Sequence, residues 1–353
     1  MKSPHTSTSA KPPKLQSILV IHQGALGDFI LALPTLETLK EAFPKAKWVI
    51  MGFPRILELV DKRFYADEIL SIDQKGMASF FVRGGSLDRP LSQFFSTFDI
   101  VVVFGKDGGG NLIGNLKEVC QGEILSINPF PEWTERIHLT DHLLRELRRY
   151  GFPPSEKNPR LFLSGEDKEW GKSFFRLKGL TEEERSRAIV IHPGSGSKKK
   201  AWPLERVLEL IHHLQRHSHS RILVVLGPAE GAEVEKAFEG MKWEMGAAAP
   251  LLVKGLSLLQ LASVMEGCRL FIGNDSGITH MAAALGLPTV AIFGPSDHKI
   301  WSPKGEKVFV VRKEIPCSPC SQERFVQCKD LDCLKEVGIG DVLEGIIKLK
   351  IQL

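Results

Sequence analysis

The chain has 353 residues, 43% of them hydrophobic and 25% charged, with a formal net charge of +4. That length suits two domains of roughly 150 residues each, and the mixture is that of an ordinary water-soluble globular protein. The charge is too slight for a nucleic-acid face, which concentrates basic residues, and no apolar run approaches the ~18 residues that a bilayer span needs. Met1 to Lys14 is polar and lacks the apolar centre of a signal peptide, so residues 1–16 read as a disordered leader. The expected location is cytoplasmic, with weak attraction to an anionic membrane surface.

Ser17-Ile-Leu-Val-Ile-His22 is a short β-branched apolar run, the mark of a strand buried on both faces. It runs into Gln23-Gly-Ala-Leu-Gly-Asp28. A helical pattern follows, with Ile30, Leu33, Leu36, Leu39 and Phe43 on one side, and Pro34 inside it predicts a kink or a distorted turn. Lys47 to Met51 and Ile100 to Phe104 fit further strands, while Lys75 to Arg89 reads as a long loop or an insertion. Asn158 to Glu166 is the expected boundary between domains.

The second half repeats the opening. Arg187-Ala-Ile-Val-Ile-His192 is another buried strand, Pro193-Gly-Ser-Gly-Ser197 another glycine-rich turn, and Trp202-Pro203 opens a helix carrying Val207, Leu210, Ile211 and Leu214 on one face. Ile21-His22-x-Gly24 matches Ile191-His192-x-Gly194. Strands at 221–226, 251–254, 269–273 and 288–293 then alternate with helices at 231–238, 257–266 and 277–285, and a last helix spans 341–353. Strands alternating with helices predict an α/β fold with parallel sheets covered on both faces.

Parallel sheets bind ligands at the carboxyl ends of their strands, where helix N-termini present free N–H groups. Three turns qualify. Gly24-Ala-Leu-Gly27-Asp28 lacks the third glycine of a dinucleotide fingerprint, and no acidic residue ends the second strand, which argues against NAD. Asp28 reads either as a helix N-cap or as a general base at a cleft. Gly194-Ser-Gly-Ser-Lys-Lys-Lys-Ala-Trp-Pro203 has the composition of a phosphate site without the Walker order, or of a solvated charged loop. In Gly273-Asn-Asp-Ser-Gly-Ile-Thr-His280, Asp275 or Ser276 caps a helix whose N–H groups suit a diphosphate, and His280 is either an ordinary helix histidine or a ligand contact.

Taken in order, these pieces resemble the ADP-heptose:lipopolysaccharide heptosyltransferase family, inverting glycosyltransferases of family 9 and of the GT-B type. The resemblance is carried by Gly24-Ala-Leu-Gly27-Asp28 with Leu33-Pro34, His192-Pro-Gly-Ser with Lys200-Ala-Trp-Pro203, Leu226-Gly-Pro-Ala-Glu230, Gly273 to His280, Phe293-Gly-Pro-Ser296 and Cys317-Ser-Pro-Cys320. It implies two Rossmann-like domains facing a central cleft: an acceptor domain at 17–165, a nucleotide-sugar domain at 166–335, and a closing segment at 336–353 packing back across the domains. It implies transfer of a heptose or related sugar from an ADP-sugar to a lipid A-core glycolipid, with no cofactor and no metal, and transient contact with the inner-membrane surface. Asp28 falls on the family's catalytic base, beside Gly24 and Gly27 of the acceptor-side loop. Lys200 falls on the lysine that meets the donor phosphates. Gly194, Ser195, Ser197, Glu230, Leu256, Asp275, Ser276, Gly277 and His280 fall on the donor site, Glu230 at the ribose and Leu256 near the adenine.

Two further readings stay open on the same architecture: a nucleotide-sugar epimerase, which needs no acceptor base, and a non-catalytic binding protein, which tolerates loss of Asp28. Cys317, Cys320, Cys328 and Cys333 have a spacing that admits a structural zinc site, reduced thiols or an occasional disulfide, and a disulfide framework is not expected in a cytoplasmic chain of this size.

Overall fold

The computed structural model describes residues 17–105, 110–132, 134–153, 156–227, 232–240 and 249–352. The leader at 1–16 and Glu230 lie outside the described residues.

Five strands form the first sheet: β1 (Ser17–His22), β2 (Lys47–Gly52), β3 (Glu68–Ser71), β4 (Ile100–Phe104) and β5 (Glu123–Ile127), in the order β3-β2-β1-β4-β5 and parallel throughout. Six form the second: β6 (Ile189–His192), β7 (Ile222–Leu226), β8 (Leu251–Lys254), β9 (Leu270–Asn274), β10 (Thr289–Ile292) and β11 (Val308–Val311), in the order β11-β10-β9-β6-β7-β8, again parallel. The two matching sequence runs, β1 and β6, therefore hold equivalent places. Each lies at the middle of its sheet, beside the point where strand order reverses, and crevices open there at the carboxyl ends of such sheets.

The apolar pattern explains the layering. Along β1, Ile18 and Val20 enter one core while Leu19 and Ile21 enter another, because successive side chains leave opposite faces of a strand. Along β6, Val190 shares the core of Ile18, and Ile189 and Ile191 point the other way. The shared core runs without interruption from the first sheet to the second through helices Leu26–Ala42 and Gly277–Ala284. The architecture is the GT-B arrangement expected from the sequence.

Several local expectations differ. Helix Leu26–Ala42 passes through Pro34 unbroken. Every residue from Phe29 to Leu39 is buried, so packing outweighs the hydrogen bond that proline forfeits. Residues 75–89 are a loop with one ordered turn inside it: Met77–Phe81 forms a 3₁₀ turn that buries Met77 and Phe80 under the sheet, residues 82–88 run without helix or strand, and Asp88 caps helix Arg89–Phe95. Pro203 stands just before helix Leu204–His217, as its N-cap. The closing helix is shorter, Ile339–Lys348, and packs on the second domain against β10, β11 and helix Leu204–His217, not back across the domains. Its buried stripe of Val342 and Ile346 sets that choice, and Gly345 lets Phe309 and Val290 approach. No helix among the described residues is long and apolar enough to cross a membrane.

Candidate functional site

A cavity of about 600 Å³ lies between the two domains. Ala25, Gly27, Asp28 and Leu31 line it from the first domain, and Ser195, Ser197, Lys200, Asp275, Ser276, Gly277 and His280 from the second. Both sets come from the turns after β1, β6 and β9, at the two points of strand reversal. Residues that stand far apart in the chain thus meet at one cleft.

Asp28 is the third residue of helix Leu26–Ala42, not its N-cap. Ala25 holds the cap position, and the Asp28 carboxylate accepts from the Ala25 N–H at 3.1 Å. Burial pushes the Asp28 carboxyl above its ordinary range. The Ala25 N–H and the Lys200 charge pull it back, and Asp275 adds to the rise. A carboxylate held this way is a stronger proton acceptor than a free one.

Of the three adjacent lysines, the fold gives each a different place. Lys199 donates to the carbonyl of Phe325 at 2.9 Å and to that of Val326, tying the turn to helix Gln322–Gln327. Lys198 is exposed. Lys200 reaches into the cavity and pairs with Asp275 at 2.9 Å. The serines also separate. Ser195 spends its proton on the carbonyl of Asp275 at 2.7 Å, so it braces the turn instead of offering a free hydroxyl. Ser276, not Asp275, caps helix Gly277–Ala284 and shares its hydroxyl with Thr279 at 3.0 Å. Ser197 accepts from the Lys199 N–H and lines the cavity. What Ser276 and Gly277 offer an anion is the helix N-terminus: first-turn N–H groups have no intrahelical acceptor.

Gly27 and Gly277 face each other across the domain boundary. A Cβ on Gly277 would sit 2.8 Å from the Leu26 Cβ, and one on Gly27 3.1 Å from His280 Cδ2. Their role is close approach of two helix N-termini, which aims both positive ends at the same cleft. His280 is buried, its Nδ1 has no hydrogen-bond partner among the described residues, and burial drives its pKa down to about 4, so the ring is neutral. Gly24 borders a smaller cavity beside Asp28. Gly194 is buried, and its carbonyl accepts from Asn274 at 3.1 Å; it does not line the large cavity. Leu256 is half-buried against the shared core and does not line the large cavity either. Glu230 is outside the described residues.

The sequence reading missed several residues that line the cavity or brace its walls. Asn274 donates to the carbonyls of Pro193 and Gly194 and accepts from the Trp202 N–H at 3.0 Å, so one buried amide fastens the lysine turn to the helix N-terminus. Phe130 and Trp301 face each other from opposite domains with ring centroids 5.8 Å apart. Pro295, Ser296 and Asp297 line the second-domain wall, and Arg136 of the first domain grips Asp297 with two bonds of 2.6 and 3.1 Å. The signal for Pro295 and Ser296 stood in Phe293-Gly-Pro-Ser296, to which no role had been given. The four late cysteines are free thiols; burial pushes the Cys333 pKa up, and Cys317, Cys320 and Cys328 stand near enough to push it further, while among the described residues no group of three His, Cys, Asp or Glu could hold a metal ion.

Residues 129–329 match the model of glycosyltransferase family 9 (heptosyltransferase). The chain is 24% identical over 325 residues to lipooligosaccharide heptosyltransferase 2 of Campylobacter jejuni, covering 90% of this chain and 93% of that one. It is 21% identical over 299 residues to lipopolysaccharide heptosyltransferase 3 of Escherichia coli, covering 80% and 83%. Among solved structures, a family 9 glycosyltransferase from Veillonella parvula superposes with a TM-score of 0.74 at 21% identity over 95% of this chain and 97% of that one. An E. coli heptosyltransferase solved with ADP superposes at 0.68 with 16% identity over 95% and 100%. A family model that covers more than half of the chain, on a fold whose two crevices meet at one cleft, leaves a single assignment: the protein is a glycosyltransferase and belongs to family 9, the heptosyltransferases.

Proposed function

We propose that the protein transfers a heptose from an ADP-sugar to a saccharide of the lipopolysaccharide core, with inversion at the anomeric carbon. The observation that carries this reading is that Asp28 and the Lys200–Asp275 pair, from opposite domains, line one cavity. The names of the C. jejuni and E. coli relatives supply the sugar and the acceptor class, and the E. coli structure with ADP supplies the nucleotide.

In this reading the donor diphosphate lies against the Gly277–Ala284 helix N-terminus and displaces Asp275 from the Lys200 ammonium. Asp275 then faces sugar hydroxyls, which it can accept from. The acceptor hydroxyl enters beside Asp28. Its oxygen forms a bond to the anomeric carbon, the bond from that carbon to the phosphate oxygen breaks, and its proton passes to Asp28. The electron pair leaves with the diphosphate, where Lys200 and the helix N–H groups stabilise the growing charge. The acceptor is a membrane glycolipid, so the protein works from the cytoplasmic side, in passing contact with the inner-membrane surface.

Calorimetric titration with ADP, against UDP and GDP as competitors, tests the donor. ADP is expected to bind best. Removing the charge-assisted bond of Lys200 by Lys200→Ala is expected to weaken ADP by about 10- to 100-fold, the equivalent of about 1.5–3 kcal/mol. A preference for UDP or GDP would overturn the ADP-sugar reading.

A further inference from the structure

A second cavity, of about 130 Å³, shares Asp28 and Phe130 with the donor cleft, and everything else that lines it belongs to the first domain. Its walls include Phe104, Leu139 and Leu143, with the ring of His22 at one side. An apolar wall beside hydrogen-bonding groups is the surface that a sugar ring needs, one face C–H and the edge hydroxyl. His22 ends β1, is 7% exposed and has no part in the chemistry described above.

We propose that this lobe seats the sugar ring of the acceptor that bears the attacking hydroxyl, and that His22 determines which ring fits, its Nε2–H donating to an oxygen beside the one whose proton Asp28 takes. The inference rests on the role of Asp28 given under Proposed function.

Four observations carry it. The Gly24 N–H donates to His22 Nδ1 at 3.3 Å, so the ring proton of the neutral form sits on Nε2. That Nε2 has no hydrogen-bond partner among the described residues. The ring is held between Phe29 and Phe104, with centroids 5.2 and 5.6 Å away, and so keeps its orientation. Finally, Gly24 keeps His22 and Asp28 on two sides of one spot. A Cβ there would lie 2.8 Å from His22 Cε1, 2.8 Å from Asp28 Cβ and 3.2 Å from Asp28 Oδ2. The two groups are thus close enough to address neighbouring oxygens of a single ring. Burial also drives the His22 pKa down to about 4. A charged imidazolium would pair with Asp28 and quench the base; a neutral one leaves it free.

The test uses the full chain, ADP-heptose and deacylated lipopolysaccharide core oligosaccharide as the acceptor probe. His22→Leu keeps much of the volume and removes the donor. It is expected to raise the acceptor KM by about ten-fold while ADP affinity stays within about two-fold, and His22→Gln, which restores an N–H, is expected to recover most of the loss. An unchanged acceptor KM in His22→Leu, or a loss of ADP affinity matching the rise in KM, overturns the assignment. In wild-type protein, ¹⁵N resonances of the imidazole are expected to show the Nε2–H tautomer, with that nitrogen shifting as the acceptor is added; no shift overturns it even where the variants fail to fold. Failure of the functional reading looks different. Wild-type protein would then transfer nothing, or Asp28→Asn would transfer as well as wild type, whatever His22 does.

Discussion

Asp28 answers to two influences that pull its pKa in opposite directions. As the third residue of its helix it accepts from Ala25, and as a half-buried carboxylate it is held above its usual pKa, with desolvation the largest cause. The sign of the pH effect follows. In its proposed role as base Asp28 must be deprotonated, so transfer is expected to fall as pH drops through the raised pKa, with the acid limb of kcat/KM above the range of a free aspartate; a pH–rate profile checks this. The same shift bears on stability. An acid whose folded pKa is raised contributes stability below its unfolded pKa and loses it as pH rises, so the charged form costs the fold at neutral pH. Asp28→Asn removes that charge and keeps an oxygen for the Ala25 N–H. Its Tm at pH 7 is expected to match or exceed that of wild type, and a thermal melt measures it. That Asp28 lines the cleft was legible because a carboxylate after a glycine turn at a strand end has few uses. Ser195 and Ser276 were not, because whether a hydroxyl is spare depends on carbonyls and hydroxyls that only the fold brings beside it.

The close approach of two helices sets the next scale. Leu26–Ala42 and Gly277–Ala284 come together through Gly27 and Gly277, and the latter has no room for a methyl group against Leu26. Alanine is preferred over glycine in helices by about 1 kcal/mol, but forcing a methyl into a filled contact costs about 1–3 kcal/mol. The clash wins, so Gly277→Ala is expected to lower stability in denaturant titration and to weaken ADP binding as the N-termini part. Asn274→Ala acts on the neighbouring turn. It orphans the buried Trp202 N–H, at about 1–3 kcal/mol, and frees the lysine turn from the helix, so both Tm and ADP affinity are expected to fall. At this scale the central strands were plain in the sequence, since β1, β4, β6 and β9 are buried on both faces and read as continuous apolar runs. Strands β3, β5 and β11 escaped notice. They are edge strands, partly exposed and short, and Glu68-Ile-Leu-Ser71 carries too little pattern to stand out from a loop.

Over the whole molecule, one core continues from sheet to sheet, and polar bridges flank it near the cleft. Arg136 grips Asp297, Lys304 pairs with Asp141, and His138 bonds the Ser302 carbonyl at 2.9 Å, each between the domains. None was legible, because partners more than a hundred residues apart leave no spacing to read. Burial tends to raise the Asp297 carboxyl, but Arg136 and the Lys299 N–H outweigh it and hold it low. Stability from such a group is present above its unfolded pKa and lost as pH falls through the folded one. Arg136→Ala is therefore expected to lower Tm at pH 7, with the gap to wild type closing as pH enters the carboxylate range. A shift in Tm that ignores pH would show that the bridge contributes packing alone.

The central claim is that one cleft holds an ADP-sugar from the second domain and a base from the first. Single-turnover transfer from ADP-heptose to deacylated lipopolysaccharide core, run on wild type and Asp28→Asn with ADP affinity measured on the same samples, tests it most directly. The account predicts transfer lowered by about 10²-fold or more, the contribution of a general base, with ADP affinity within about two-fold of wild type. Equal transfer by the two proteins, or ADP affinity that collapses with transfer, would contradict it.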